Sequence, residues 1–387
     1  MVIIIPLTKD TYFNTILKSP NRQTVIKVEL MYPNGEIFEE ITSDISNTDG
    51  NLVNTFTNGQ RRNISLTINN PIRKYGINPR RLWLNTYFRV YKGFYYLNNY
   101  IWFLQGTFIL SNPVENSSFS EKTIQINGID KMSLLDGTLS GNLEATYQVP
   151  ANESLKNAII AILNEAGDNS PLIYDVALEG IVVPYTISRN DSYYGILEEL
   201  AELYSSNVYY NTEGCLCFIS GVEQIDDSLK PSIYSFKKDG KDFNYLTNSV
   251  TYNFSDVKNY IKVVGATVNG EIFDATASDT NLESPVCIDF IGRKILYISD
   301  DNINSDQLAQ DRANYELKKN RILFIDGSLT CPSLPHLDAN CVIDITDEDL
   351  DFVQQRVLIQ SISDSYAENG QMTVSYSNVN ELPFSNT

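Results

Sequence analysis

The chain has 387 residues, 42% hydrophobic and 11% aromatic, with 24 Tyr and 17 Phe. At about 100 to 200 residues per domain this length allows several domains with buried cores, which excludes a disordered or purely fibrous chain. Lys and Arg number 29 against 48 Asp and Glu, for a net charge of −19; such a field repels phosphate backbones and anionic membranes and argues against general nucleic-acid binding.

Residues 1–130 read mainly as strands. Ile26, Val28, Leu30 and Tyr32 alternate with Lys27, Glu29 and Met31, and Pro33-Asn34-Gly35 then leads into Glu36 to Ile41, which predicts a hairpin. The two-residue period returns at Ile64, Leu66 and Ile68. Tyr87 to Tyr91, Tyr100 to Leu110 and Lys122 to Asn127 add segments rich in aromatic or branched side chains, which suit a pleated, half-buried surface. An antiparallel sheet or small barrel is expected.

Composition shifts near residue 145. Asn152 is placed to cap a helix whose apolar positions Leu155, Ala158, Ile159, Ile162 and Leu163 follow helical spacing, with Gly167 as its stop. A second helix is predicted from Ser192 to Tyr204 after Asn190 or Asp191 as cap, with Ile196, Leu197, Leu200, Ala201 and Leu203 facing inward. Strands are expected at Ile181 to Ile187, Val208 to Tyr210 and Cys215 to Ile219. From residue 248 the strand pattern resumes at Val250, Tyr252 and Phe254, at Ile261 and Val263, at Cys341, Ile343 and Ile345, and at Met372, Val374 and Tyr376. One helix interrupts it: Asn304 and Gln307 resemble a capping box, Asp306 lies in the first turn, and Lys318 and Lys319 lie in the last, the order the helix dipole favours. The expected fold class is mainly β with an α+β insertion. Its domains are a first sheet domain over 1–145, an α+β domain with two helices over 146–247, and a second sheet domain with one helix and inserted loops over 248–387.

Charge is segregated along the chain. Residues 51–114 contain no Asp or Glu but carry Arg61, Arg62, Arg73, Lys74, Arg80, Arg81, Arg89 and Lys92. Such segregation suits docking against an acidic surface, including that of another copy; the alternative is solvated charges scattered on loops. No apolar run approaches the roughly 18 residues of a membrane helix, and Met1 to Leu7 lacks the basic leader and length of a signal peptide. A soluble protein made in a cytoplasm is expected. The five cysteines, Cys215, Cys217, Cys287, Cys331 and Cys341, are read as reduced core residues rather than a disulfide framework.

Reactive constellations are sparse. His336 is the only histidine, so a zinc site needing two imidazoles cannot be built from this chain. Cys331 and Asp338 lie near it in sequence, but in a Pro-containing loop where convergence is not implied, and a surface loop histidine is expected. Cys215 and Cys217 share a face if their segment is a strand, which favours core packing over metal binding. No phosphate-cradling loop, nucleophile elbow or Rossmann fingerprint is present. Glu198, Glu199 and Glu202, and Asp300 and Asp301, are the candidates for the paired carboxylates of a glycosidase; the first group falls between the apolar stripe positions of its helix and should face water. The run Asp347-Glu348-Asp349-Leu350-Asp351 lacks the glycine and spacing of an EF-hand and reads as a solvated turn between strands. The aromatics from Tyr87 to Phe103 could stack on sugars, but their alternation favours burial in a strand core.

The order of segments is informative where single motifs are not. Thr123-Ile-Gln-Ile-Asn-Gly-Ile-Asp-Lys-Met-Ser-Leu-Leu-Asp-Gly137, after the strand Gly106-Thr-Phe-Ile-Leu-Ser-Asn-Pro113, resembles the first domain of baseplate hub proteins from phage tails and related tail-like particles. Ser192-Tyr-Tyr-Gly-Ile-Leu-Glu-Glu-Leu-Ala-Glu-Leu-Tyr204, followed by Asn207-Val-Tyr-Tyr and Gly214-Cys-Leu-Cys-Phe218, is similar to their inserted helix-and-hairpin domain. Asn248 to Gly265, the helix Ser305 to Asn320 and Leu334 to Ile343 resemble their second barrel. The resemblance implies two tail-tube-like β-barrel domains per chain and a homotrimeric, non-enzymatic adaptor that joins a sixfold tail tube or distal tail ring to a threefold tip or spike and lines the channel.

It further implies location in the virion tail, at the baseplate or tip, with assembly in the host bacterial cytoplasm. The partners implied are the tail tube or distal tail protein, the tip or spike protein and a tape-measure protein, with DNA only in passage through the channel. No cofactor, metal or catalytic residue is implied. Any lysin or spike is expected to be a separate chain or to have been removed. The expected interface pairs Arg61, Arg62, Arg73, Arg80 and Arg81 with an acidic neighbour such as Asp344, Asp347 and Asp349 of the adjoining copy. The competing readings are a cell-wall-degrading tail lysin using carboxylates and a host-glycan-binding tail module.

Overall fold

A computed structural model describes residues 23–379 apart from 47–48, 73, 77–81, 97–98, 205, 221–229, 240–241, 269–270, 285, 301–302, 304, 322–323 and 368–369. Up to residue 130 the strands are β1 (Gln23–Met31), β2 (Ile37–Ile41), β3 (Asn51–Thr55), β4 (Arg62–Asn69), β5 (Tyr87–Tyr96), β6 (Asn99–Leu110), β7 (Val114–Ser117) and β8 (Lys122–Asp130). The middle of the chain forms β9 (Tyr147–Val149), α1 (Leu155–Glu165), β10 (Leu172–Tyr174), β11 (Ile187–Arg189), α2 (Tyr193–Leu203), β12 (Ser206–Tyr210) and β13 (Leu216–Ser220). Then come β14 (Ser232–Asp239), β15 (Asp242–Phe243), β16 (Thr247–Asn253), β17 (Tyr260–Val268), β18 (Glu271–Ser278), α3 (Ile288–Ile291), β19 (Ile295–Ser299) and α4 (Asp306–Asn320). The chain closes with β20 (Phe324–Pro332), β21 (Val342–Asp347), β22 (Phe352–Ser365) and β23 (Gln371–Asn378). The fold is mainly β with largely antiparallel pairing, as the alternation predicts.

Two compact units divide the chain, Met1–Thr247 with Leu329–Ser375, and Asn248–Ser328 with Tyr376–Thr387. In the larger unit a twisted path of strands runs β15-β14-β21-β22-β3-β4-β8-β6-β5-β1-β2, with β7 also on β8. Every registered pair along it is antiparallel except β14 with β21. The predicted hairpin is present: β1 pairs β2, Val28 opposite Ile41, and Gly35 takes a positive φ of 85° in the turn. Alternation on β4 sends Ile64, Leu66 and Ile68 inward beside Val28, Leu30, Phe88, Phe108, Ile124 and Ile126. Each such side chain contributes about 1.5 to 3 kcal/mol on burial. Gly128 faces this core, where an added Cβ would run into the Phe88 ring and the Phe108 Cβ, so no larger residue fits there.

The α+β part of the same unit has its own core. Leu155, Ala158, Ile159, Ile162 and Leu163 of α1 meet Ile196, Leu197, Leu200 and Ala201 of α2, over Val208, Tyr210, Leu216 and Phe218 of β12 and β13. Gly167, at φ 77°, ends α1 as expected. The cap assignments differ from expectation. Ser154 is the N-cap residue of α1, while Asn152 occupies a left-handed turn at φ 65°. Ser192 caps α2 through its Oγ, which accepts from the Gly195 N–H at 3.1 Å. Neither Asn190 nor Asp191 is the cap, because the Asp191 carboxylate is held by Arg189 at 2.7 Å.

The strand expected from Ile181 to Ile187 shrinks to β11. Pro184 has no N–H to place in a ladder, and the preceding backbone instead closes the start of α1: Leu155 N–H donates to Ile181 O at 3.0 Å and Asn152 N–H to Val183 O at 2.7 Å.

In the smaller unit β18-β17-β19 form a three-stranded sheet. On one face α4 sets Ala309 and Ala313 against Ile261, Val263, Ala275 and Ala277. The small side chains let the helix sit close to the sheet. Asp306 begins α4 as predicted, and Asn304 lies outside the described residues.

Candidate assembly site and its buried charges

Of the predicted basic interface, Arg73, Arg80 and Arg81 lie outside the described residues. Arg61 and Arg62 are buried inside the larger unit. Asp130 receives the start of β4: its Oδ2 accepts from the Arg61 N–H at 2.6 Å and the Arg62 N–H at 3.0 Å, and its Oδ1 from the Met132 N–H at 3.1 Å. Burial pushes this carboxyl above the usual range, and the three backbone donors together with Arg62 oppose that shift.

The Arg61 guanidinium lies 3.3 Å from the Tyr209 ring centroid and 5.0 Å from that of Phe56. Desolvation brings its pKa down to about 10, and the aromatic faces supply part of the attraction that water would otherwise give. Its Nη2 has no hydrogen-bond partner among the described residues.

Arg62 makes a fork. Its Nη2 donates to both oxygens of Asp338 at 2.9 Å and its Nη1 to Tyr210 O at 3.0 Å, while Asn54 also donates to Asp338. One side chain thereby ties β4 to β12 and to the loop before β21. Lys92 on β5 meets Asp364 on β22 at 2.7 Å and donates to Ser365 O at 2.9 Å; Ser333 donates to the same carboxylate at 3.1 Å. Burial moves both partners toward neutrality, Lys92 downward and Asp364 upward, against their mutual attraction. A third pair, Lys131 with Asp168 at 2.8 Å, is joined by Ser170 and the Tyr210 hydroxyl. Burial pushes that hydroxyl well up and keeps it a donor.

The acidic partners are also placed. Asp347 is buried at the end of β21, accepting from the Tyr245 hydroxyl at 2.5 Å and from the Asp349 N–H at 3.1 Å. Glu348–Leu350 form a short 3₁₀ turn between β21 and β22, the turn the sequence predicts. Asp349 is exposed there and pairs with Lys238, and Asp344 is half-buried opposite Arg356. Within one chain, then, Arg62 finds Asp338 and Arg61 the Tyr209 and Phe56 rings rather than the 344–351 turn. Nothing in the sequence links Asp338 to Arg62, 276 positions away, so this intrachain pairing has no local signal.

His336, Cys331 and Cys217 occupy packing positions. The His336 ring lies 5.7 Å from Tyr234 and 6.2 Å from Phe103, so it belongs to an aromatic cluster and not to an open surface loop. Cys331 and Cys217 are buried, and desolvation raises the Cys217 thiol to about 11. Glu198 accepts from the Tyr194 hydroxyl at 2.9 Å and Glu199 pairs with Arg189 at 3.5 Å on the polar side of α2, with Glu202 exposed. Asp301 lies outside the described residues. Among the described residues no group of three or more His, Cys, Asp or Glu is arranged to hold a metal ion. Phe88, Phe94 and Phe103 are buried, as the alternation predicts. On the opposite face Tyr100 stacks on Trp102 and Tyr95 lies tilted against Tyr100, and the Lys27 ammonium lies 4.3 Å from the Tyr91 centroid.

No protein-family model and no curated protein matches the chain. Solved structures do. The 43 kDa tail protein of prophage MuSo2 from Shewanella oneidensis is 14% identical, and the match covers 93% of this chain and 100% of that one at a TM-score of 0.60. A tail protein from Neisseria meningitidis MC58 is 8% identical over 93% of this chain and 98% of its own, at 0.59. This chain has the fold of prophage tail proteins. Prophage tail protein gp18 from Listeria monocytogenes EGD-e gives 14% identity over 91% and 94%, at 0.52. In this fold Arg62 on β4 reaches Asp338 276 positions away and Lys92 on β5 reaches Asp364 on β22 272 positions away, while Lys131 pairs with Asp168 37 positions on.

Proposed function

We propose that the chain is a structural hub subunit of a phage tail or tail-derived particle. Three copies form an adaptor between the tail tube or distal tail ring and the tip or spike, with the channel running through their centre. The observation that carries this reading is the end-to-end match: 93% of this chain corresponds to the whole of a prophage tail protein. In this reading residues 1–145 and 248–387 supply two barrel-like modules per subunit, so that three subunits present six similar surfaces to a sixfold tube, with 146–247 as an added α+β module. Heterologous contacts repeated about a rotation axis close into such a ring.

The placement of His336, Cys331 and Cys217 in packing roles supports a function carried by surfaces. The subunit works in the virion tail, its neighbours being the tube or distal tail protein, the tip or spike protein and the tape measure. In this proposal Arg80 and Arg81 of one copy dock on the 344–351 turn of the next, where Glu348 and Asp349 are exposed, while Arg61, Arg62 and Asp347 hold the elements of their own chain. Native mass measurement of the full chain tests the reading: a trimer is expected, and a stable monomer that releases soluble fragments from cell walls would overturn it. Charge reversal at Arg80 and Arg81 should weaken the trimer in a salt-sensitive way; unchanged affinity removes that contact.

A further inference from the structure

An edge strand carries unpaired N–H and C=O groups that template pairing with another chain unless charge, proline, a bulge, brevity or a cover blunts it. Most edges among the described residues carry such devices, and β10, uncharged and parallel to β13, is only three residues long. β2 bears Glu39 and Glu40, β7 bears Glu115, and β15 has two residues. β18 bears Asp274, and its register with β17 shifts between Val264 and Thr267. β12 is covered, since Gly59 N–H donates to Val208 O at 2.9 Å and Val208 N–H to Asn58 Oδ1 at 3.2 Å. β16 is mostly polar, with only Val250 and Tyr252 apolar.

β19 is the contrast. Ile295-Leu296-Tyr297-Ile298-Ser299 has no charge and no proline, and it pairs with β17 in an unbroken register. It ends the β18-β17-β19 sheet. Ile295 and Tyr297 are 58% and 62% exposed on one face, while Leu296 and Ile298 lean on the core of Ile261 and Val263 on the other. A strand laid along this edge would be flanked by apolar side chains on both faces, so its occupant must be uncharged and apolar on both sides, unlike an amphipathic strand. Outside the described residues the sequence holds such a segment: Val2-Ile3-Ile4-Ile5, four consecutive β-branched residues followed by Pro6, which has no N–H to continue a ladder.

We propose that β19 is a docking edge that accepts the Val2–Ile5 segment of a second copy of this chain, so that neighbouring subunits exchange a strand. The proposal rests on the homotrimer proposed above, in which donor and acceptor surfaces differ and each acceptor meets one donor around the ring.

The test uses the full chain with Tyr297→Cys combined with either Ile3→Cys or Ile4→Cys. These adjacent positions point to opposite sides of a strand, so one of the two reaches the Tyr297 face. Mild oxidation followed by non-reducing denaturing electrophoresis should give covalent dimers and trimers in one combination and none with Tyr297→Cys alone. A bond confined to monomer mass, or no bond in either combination, overturns the proposal. Native mass without oxidation separates the two ideas: a trimer that does not cross-link removes strand exchange and leaves the hub, whereas a monomer removes both. Ile4→Pro, which deletes a ladder donor, should weaken trimer affinity at least tenfold with unchanged circular dichroism, and unchanged affinity counts equally against the exchange.

Discussion

In the larger unit Lys92 and Asp364 meet at 2.7 Å with 1% and 0% of their side chains exposed, while in the smaller unit Lys262 pairs with Asp274 at 30% and 46% exposure. The buried pair joins residues 272 positions apart, on β5 and β22. The surface pair lies across the adjacent strands β17 and β18. Strands adjacent in sequence find their register through their turn and their alternation. A strand returning from the far end of the chain has no turn to guide it, and a shift of β22 by one residue would leave Asp364 or Lys92 buried without its partner at a cost of several kcal/mol. The larger unit is thus specified by charge where its sequence-distant parts meet, and the smaller one by the shape of an alanine-faced helix on a sheet.

This contrast breaks first at Lys92. Lys92→Ala strands a buried carboxylate and should destabilise the larger unit by about 3 to 5 kcal/mol in denaturant unfolding, with little dependence on salt, while Lys92→Met with Asp364→Leu recovers most of the loss. A loss under about 1 kcal/mol for Lys92→Ala would mean the pair does not set register. Arg62→Ala removes the fork to Asp338 and the bond to Tyr210 O and should cost about 2 to 3 kcal/mol, since Asp338 retains Asn54 and some solvent.

In the smaller unit volume should matter more than charge. Gly327→Ala, where the added Cβ would come within 2.0 Å of the Tyr376 ring, is expected to cost about 1 to 3 kcal/mol. Lys262→Ala should cost no more than about 1 kcal/mol, shrinking further in salt; the reverse order of these two effects would refute the contrast. The smallest effect is a titration. Arg189 holds the Asp191 carboxyl down at about 2, so its small contribution to stability is complete above the ordinary Asp range and is lost as pH falls through about 2. Arg189→Ala should return Asp191 toward the ordinary value, read by NMR.

The strands whose apolar residues alternate without interruption were legible: β4 and β8 bury the residues their two-residue period selects, whereas β1 does so only as far as Leu30, where a register shift against β2 buries Met31 and leaves Tyr32 exposed. The stripes of α1 and α2 were legible for the same reason at helical spacing. β22 was not, because Gln354, Gln355 and Arg356 interrupt its pattern. These residues lie where the strand leaves the acidic turn, with Gln354 at φ 49°. The capping residues were misplaced by one or two positions because Ser, Asn and Asp compete for the same backbone donors, and which one succeeds depends on neighbours such as Arg189. Tyr95, Tyr100 and Trp102 read in sequence as strand core, and it is the pairing of β5 with β6 that brings these rings together.

Periodicity and composition by themselves determined that this protein is mainly β with a helical insertion, since burial of an alternating or helical stripe is a local property of the chain. The tertiary structure alone decided that Arg62 answers to Asp338 and Lys92 to Asp364, and that β3 and β22 continue one sheet. Electrostatic pairing acts through space at a few ångströms, and no spacing along a chain records which of many carboxylates will arrive there once the strands have assembled.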